Sequence, residues 1–446
     1  MNLKKFFFLL SFTSCLYGMA QKVWTLEECV AYAIEHNLQV KNLKFAEDTG
    51  KETYRQSIRN LLPNINASSG QGYNWGLNEN RATGVRENRE FYDADYRLDA
   101  NLDLFQGFQK MNTIRASKFI YKATQEDVLQ EKFLLAFRVM TAFYDIKFNQ
   151  GLVNNAIEQL EISQTNYNLV EKQVELGVMA KADLYEAEST LLADKLLLTQ
   201  NKNLLALSKL TLTQAMNYTE SDDIELQLLT EPITNELSQN VSFDTIYEVA
   251  KETVPIINAQ KFRVKAAKKQ LQAIRGGLYP SILLSANMGT SYVQGITNTA
   301  GEILSFSDQI DLNFARYVGA RMTIPLSLGW SSRSQVKQQK IAYKQALNNL
   351  EIQEQELFQL LQQLVQTNDA LIVEYEQSNK RLQAQELAFD IAQKRFERGM
   401  INGIELGRAK NLFATAQNEN LQVRLRLKVN RSTLDFYNNL PVFNIN

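Results

Sequence analysis

The chain has 446 residues, enough for two or three domains of ordinary size, with 48 basic against 49 acidic residues and a net charge of −1. So even a balance gives no reason to expect a nucleic-acid partner. The one histidine, His36, reads as a solvated or core residue rather than a metal ligand.

The first residues, Met1-Asn2-Leu3-Lys4-Lys5, precede an apolar run from Phe6 that continues to Tyr17, and Gly18-Met19-Ala20 offers small residues for cleavage. This pattern predicts a secretory signal peptide over 1–20 and a mature chain from Gln21. A rival processing route makes Cys15 a lipidated first residue, although Phe12-Thr13-Ser14 fits a lipoprotein signal poorly. With the signal removed only Cys29 remains, so no intrachain disulfide can form. No later segment approaches the ~20 consecutive apolar residues of a spanning helix. An exported chain of this kind is periplasmic, extracellular or built into a barrel.

The remainder reads as one unit written twice. Thr25-Leu26-Glu27-Glu28 resembles Ser242-Phe243-Asp244-Thr245, 217 residues on, and at that offset Leu61 meets Leu278, Pro63 meets Pro280 and Gly72 meets Gly289. The offset then becomes 222, where Gly107 meets Gly329, Gly177 meets Gly399, Leu184 meets Leu406 and Asn217 meets Asn439. The expected division is a first repeat over 21–230 and a second over 231–446, joined by a polar connection at 218–242. Each repeat opens with a helix, 25–60 and 243–277, ended by a proline that cannot continue it. A strand pair follows, 64–76 with 91–104 and 281–293 with 310–324. Long helical hairpins over 107–217 and 329–439 complete the repeats.

The strand at 92–104 alternates strictly. Tyr92, Ala94, Tyr96, Leu98, Ala100, Leu102 and Leu104 take one face; Asp93, Asp95, Arg97, Asp99, Asn101 and Asp103 take the other. In the second repeat Ile310, Leu312, Phe314, Val318, Ala320, Met322 and Ile324 oppose Asp311, Asn313, Tyr317, Gly319, Arg321 and Thr323. Soluble sandwiches alternate too. Strands long enough for the ~9–11 residues of a tilted barrel wall, aromatic residues near strand ends, and long polar loops at 77–90 and 294–309 favour a membrane barrel. Tyr92, Tyr96, Leu98 and Leu102 would then face lipid, and Asp93, Asp95, Asp99 and Asp103 would make the lumen acidic. Arg316 breaks the pattern on the apolar side. Four strands cannot close a barrel, and an open edge in lipid leaves backbone groups unsatisfied, so oligomerisation is expected: eight strands from two copies, twelve from three.

From Gly107 to Leu176 a single helix would run about 105 Å. Leu129, Phe133, Ala136, Met140 and Phe143 recur at spacings of four and three, as do Leu357, Leu361, Leu364, Asn368, Leu371 and Tyr375, the spacing of coiled-coil-like packing. The stretch breaks at Gly177, a residue suited to the left-handed conformation that ends a helix. Asp183 favours the start of the next helix. Gly399 and Glu405 repeat the arrangement, so two helical hairpins are expected with their ends far from the strands.

Trp24-Thr25-Leu26-Glu27-Glu28, Leu61-Leu62-Pro63, Leu104-Phe105-Gln106-Gly107-Phe108, Leu326-Ser327-Leu328-Gly329-Trp330 and the paired Gly-x5-Asp/Glu hairpins, in this order and duplicated, resemble the TolC-like outer-membrane efflux family over nearly the whole mature chain. The resemblance implies a mainly α fold with membrane β: a homotrimer whose twelve-stranded barrel continues into a periplasmic barrel of twelve helices. It also implies an exit duct for efflux or type I secretion, docked to a periplasmic adaptor and an inner-membrane pump. By position, Gly177 to Asp183 and Gly399 to Glu405 would form the tip that meets the adaptor, with Glu405 in an acidic ring at the constriction. Family members often close this end with a tyrosine and an arginine of the second hairpin bonded to an acid of the first. Here the acid is Asp183 but the partners are Phe396 and Ile401, which puts a lock of that kind in doubt.

The competing reading is a periplasmic coiled-coil scaffold or the adaptor itself, which would normally carry one hairpin flanked by small β-rich domains. An enzyme has no machinery here: there is no phosphate-binding glycine loop, metal-ligand cluster or nucleophile elbow. No catalytic residue, cofactor or metal is expected.

Overall fold

The structure, a computed structural model, describes residues 23–79, 84–219, 224–227, 242–327, 330–440 and 443. The predicted signal peptide with Cys15, most of the 218–242 connection, and Gly329 lie outside these residues. The chain divides into two compact units.

One unit comprises 45–125 and 259–352. Its sheet has four strands, β2 (Asn64–Glu79), β3 (Arg86–Gln106), β5 (Ser281–Val293) and β6 (Ala315–Thr323), in the order β2-β3-β5-β6 with every neighbour antiparallel. The register places Ala67 opposite Leu98, Leu98 opposite Met288, and Ala286 opposite Val318. Paired residues share a face, so the apolar positions of all four strands form one continuous surface. The aspartates of β3 lie on the other surface with Asn66, Gly70, Ser285 and Arg321.

Three details depart from the sequence expectation. First, β2 and β3 extend beyond 76 and before 91, so the loop expected at 77–90 is shorter. Second, the register shifts between Asp103 and Phe105, and Phe105 rather than Leu104 pairs with Ile282. A bulge inserts one unpaired residue, which takes Leu104 out of the alternation. Third, residues 310–314 are not strand. A short helix, α7 (Phe306–Leu312), occupies the place, and β6 begins only at Ala315. Ser305 caps it by accepting from Asp308 N at 3.2 Å, and the Asp308 carboxylate accepts from Ser305 N at 3.3 Å. The buried Gln309 side chain accepts from Val293 N and donates to Val293 O, both at 3.0 Å, tying the helix to the end of β5. Ile310, Leu312 and Phe314 happen to alternate, but the capping box decides the local structure.

The opening helix of each repeat is also broken. The first is α1 (Leu26–His36) and α2 (Leu38–Arg59); the second is α5 (Phe243–Thr253) and α6 (Pro255–Gly276). The intervening residues, Asn37 and Val254, have the same backbone, φ −68° and ψ 125°. Their sequence positions differ by the repeat offset of 217, yet the chemistry of the break differs. Asn37 Oδ1 accepts from Gln39 N and Val40 N at 2.8 and 3.2 Å, an N-cap. Val254 is held extended by the following Pro255, which fills the first helical position where a missing N–H costs nothing.

The other unit comprises the described residues up to Lys44, then 126–258 and from 353 onward. Two short strands, β1 (Val23–Trp24) and β4 (Glu225–Leu226), pair in parallel. The long helices are α3 (Gln109–Glu175), α4 (Lys181–Met216), α8 (Ser331–Glu397) and α9 (Gly403–Tyr437), of which α3 from 126 and α8 from 353 fall in this unit. Both α3 and α8 have 67 residues and start 222 positions apart. Left-handed residues recur at the same offset: Phe108 with Trp330, Gly177 with Gly399, Asn217 with Asn439. The core of this unit sets Leu135, Met140 and Phe143 of α3 against Cys29 and Ala33 of α1 and Leu212 and Met216 of α4. Burying one such large side chain contributes about 1.5–3 kcal/mol. A strip of this size decides how the helices pack.

Candidate functional site

The two hairpin ends are built alike. Gly177 (φ 73°) follows α3; its N–H donates to Val174 O at 3.0 Å and that of Val178 to Gln173 O at 2.8 Å. Gly399 (φ 69°) follows α8; its N–H donates to Phe396 O and that of Met400 to Arg395 O, both at 2.9 Å. This is the Schellman pattern, which satisfies the last carbonyls of a helix. The starts differ. The Asp183 carboxylate accepts from Ala180 N at 3.1 Å, whereas Asn402 Oδ1 accepts from Glu405 N at 2.9 Å. Asp183 and Glu405 both lie exposed in a first helical turn, where the helix dipole favours an anion. Leu176, Val178, Met400 and Ile404 are exposed around the same turns, an apolar rim that attention to the glycines and acids alone overlooks.

Behind the ends lies an apolar cluster of Val170, Phe389, Phe396, Leu406 and Phe413, with Leu184 and Ile401 packed against it. Phe389 and Phe413 stack with centroids 5.6 Å apart. Phe396 and Ile401, which stand where a polar lock would need a tyrosine and an arginine, belong to this cluster. Asp183 bonds locally to the Ala180 backbone.

A polar junction sits deeper between the hairpins. Lys410 of α9, only 2% exposed, bonds through Nζ to Asp194 of α4 and to Ser163 of α3, and Ser163 Oγ also reaches the Asp194 carboxylate. Next to it Asn155 Nδ2 donates to Asn418 Oδ1 at 2.8 Å and Gln417 Nε2 to Glu158 Oε2 at 3.0 Å. Sequence reasoning missed this junction. The signal was present: Lys410 falls at the i+4 place between Leu406 and Phe413, inside an apolar stripe.

On the sheet, Asp93, Asp95, Asp99 and Asp103 share the polar face. Asn74 donates to Asp93, Arg97 lies 3.4 Å from Asp95, and Lys110 lies 3.0 Å from Asp103. Tyr92, Tyr96, Leu98 and Leu102 share the opposite face with Ala94, Met288 and Val318; Ile65, Trp75, Val318 and Met322 on this face are exposed. Arg316, opposite Met288 on the apolar face, is the second residue of β6, and its guanidinium stacks 4.9 Å from the Phe314 ring. The cation–π contact gives the misplaced charge a partner. Where β3 gives way to α3, Gly107 (φ 56°) packs directly against the backbone of Gly276.

Among the described residues no helix is long and apolar enough to cross a membrane, and no group of three or more His, Cys, Asp or Glu could hold a metal ion.

A family model described as outer membrane efflux protein matches the chain twice, over residues 30–218 and 246–439. A probable outer membrane lipoprotein SilC of Salmonella typhimurium is 21% identical over 392 residues, 87% of this chain and 80% of that protein. The outer membrane protein TolC of Vibrio cholerae is 22% identical over 352 residues, 76% of this chain and 74% of that one. The crystal structure of the outer membrane protein VceC from Vibrio cholerae shares the fold, with a TM-score of 0.77 at 14% identity over 92% of this chain and 95% of that chain. The chain therefore belongs to the outer membrane efflux protein family, as an outer-membrane protein of the Gram-negative envelope with a large periplasmic helical portion and a role in efflux.

Proposed function

We propose that the protein is the exit duct of a tripartite efflux or type I secretion system, conducting substrates passively from periplasm to exterior when docked to an adaptor and an inner-membrane pump. The sheet carries this reading: an exposed apolar face backs a polar one, and the outer edges of β2 and β6 have no partner strand among the described residues. In lipid each unsatisfied backbone group costs several kcal/mol, so copies of the chain must pair β6 of one with β2 of the next. Such a head-to-tail contact closes into a ring, and three copies give twelve strands. The apolar face then meets lipid through Tyr92, Tyr96, Leu98 and Leu102, and Asp93, Asp95, Asp99 and Asp103 line the lumen.

The helices support the same assembly. Leu192, Leu196, Leu207 and Leu210 form an exposed stripe on α4, and Val373, Leu387 and Ile391 another on α8, surfaces suited to neighbouring copies. At the periplasmic end Gly177 and Gly399 shape the turns, Asp183 and Glu405 supply charge at the constriction, and the apolar rim offers the adaptor a surface to bury. Adaptor binding opens the duct only to the extent that it favours the open state. No chemistry and no cofactor enter this mechanism; the pump supplies the energy.

In planar bilayers the purified protein is expected to form cation-preferring pores, with conductance raised when Asp183 and Glu405 are both replaced by alanine. Silence of both the native protein and the double variant would overturn the reading.

A further inference from the structure

We propose that Lys410 is a positioning residue: its buried junction with Asp194 and Ser163 is the tie that holds the second hairpin against the first and sets the resting width of the periplasmic mouth. The inference deepens the duct reading and rests on it. Lys410 is the one lysine among the buried residues described, and together with its two partners it joins α3, α4 and α9, hence both hairpins. Its side chain and that of Asp194 are 3% and 13% exposed. An ammonium removed from water is tolerated only with acceptors in place, so this lysine has one register in which α9 can sit.

The neighbouring apolar cluster and polar pairs also join the hairpins, but none of them is a buried ion pair. Toward the hairpin ends a cavity of about 80 Å³ opens beside it, lined by Val170, Met179, Phe396 and Leu406 together with Ser163 and Lys410, so packing there is incomplete. In the other direction α3 and α9 meet through the polar pairs Asn155–Asn418 and Glu158–Gln417, and Leu421 of α9 sits directly on Gly151 of α3. A buried ion pair repays its desolvation only when its geometry is excellent, so it holds one helix at a fixed place along another. Asp194 lies 11 residues beyond Asp183, three turns along α4. The tie is therefore set back from the hairpin ends, where Phe396 and Ile401 provide no polar lock.

The test uses the full-length oligomer in lipid with spin labels at Val178→Cys and Met400→Cys, one on each hairpin end, in a Cys29→Ala background diluted with unlabelled chains. Lys410→Met and Asp194→Asn each leave one buried partner unmatched. Lys410→Met with Asp194→Leu removes the charge pair while keeping side-chain volume, so it separates positioning from stability. The double variant is expected to assemble and melt near the parent, to broaden and lengthen the label-to-label distance, and to raise the open fraction in bilayers several-fold. An unchanged distance distribution in an assembled double variant would overturn the tie, whatever the conductance. Labels that move while every variant, Asp183→Ala/Glu405→Ala included, stays silent would uphold the tie and count against the duct.

Discussion

Replacing Gly107 with alanine tests the junction between strand and helix. At φ 56° any residue with a Cβ pays the left-handed penalty, ~1–2 kcal/mol. The added methyl would also sit 2.2 Å from Gly276 O and 2.9 Å from the Cβ of Tyr279, and relieving that overlap requires a backbone shift of the kind that costs ~1–3 kcal/mol. The total is about 2–5 kcal/mol. Gly177→Ala is the internal control. Its φ is 73° and nothing lies within 4 Å of the added atom, so it bears only the conformational term of ~1–2 kcal/mol. At ~2–4 °C per kcal/mol for a unit of this size, thermal unfolding followed by circular dichroism should place Gly107→Ala several degrees below Gly177→Ala. Equal midpoints would show that the close approach of the Gly276 backbone does not exist, and the account of this junction would fail.

Asn37→Ala removes the cap of α2 and is expected to cost ~1 kcal/mol, read as a lowered unfolding midpoint; an unchanged midpoint would mean that the break between α1 and α2 is set elsewhere. Burial, and next the charge of Asp127, push the Glu126 carboxyl above its ordinary 4.5. Ionised Glu126 therefore disfavours the folded state, by a penalty absent below pH 4.5 that grows as pH rises through the folded value. Glu126→Gln should melt higher than the parent at pH 7 and together with it at pH 4; the reverse order would contradict the sign. In the Asp183→Ala/Glu405→Ala background, replacing Asp93, Asp95, Asp99 and Asp103 by asparagine should lower cation preference in bilayers without abolishing conductance, and unchanged selectivity would remove these residues from the lumen.

The parts of the fold legible from sequence were those written as long periods or repeated signals. Strict alternation placed the apolar and aspartate faces of β3, and the glycines at 177 and 399 marked both hairpin turns. What escaped was decided by single side chains. The break at Asn37 rests on one amide, and its counterpart at Val254 on the proline after it, so no shared motif announced them. A capping box turned 306–312 into helix although its apolar residues alternate, and one bulge removed Leu104 from its face. Lys410 was hidden for a different reason. A lysine in an apolar stripe acquires meaning only when Asp194 and Ser163, more than two hundred positions away, are known to meet it. At the hairpin ends the glycines and acids stood out, but the exposed rim of Leu176, Val178, Met400 and Ile404 did not, since exposure is a property of the folded chain.

Native mass spectrometry of protein extracted from membranes addresses the central claim, that the sheet is completed only by further copies. The account predicts that detergent is needed for extraction and that the species released has three times the mass of the mature chain. A single chain, stable in buffer without detergent, would contradict it.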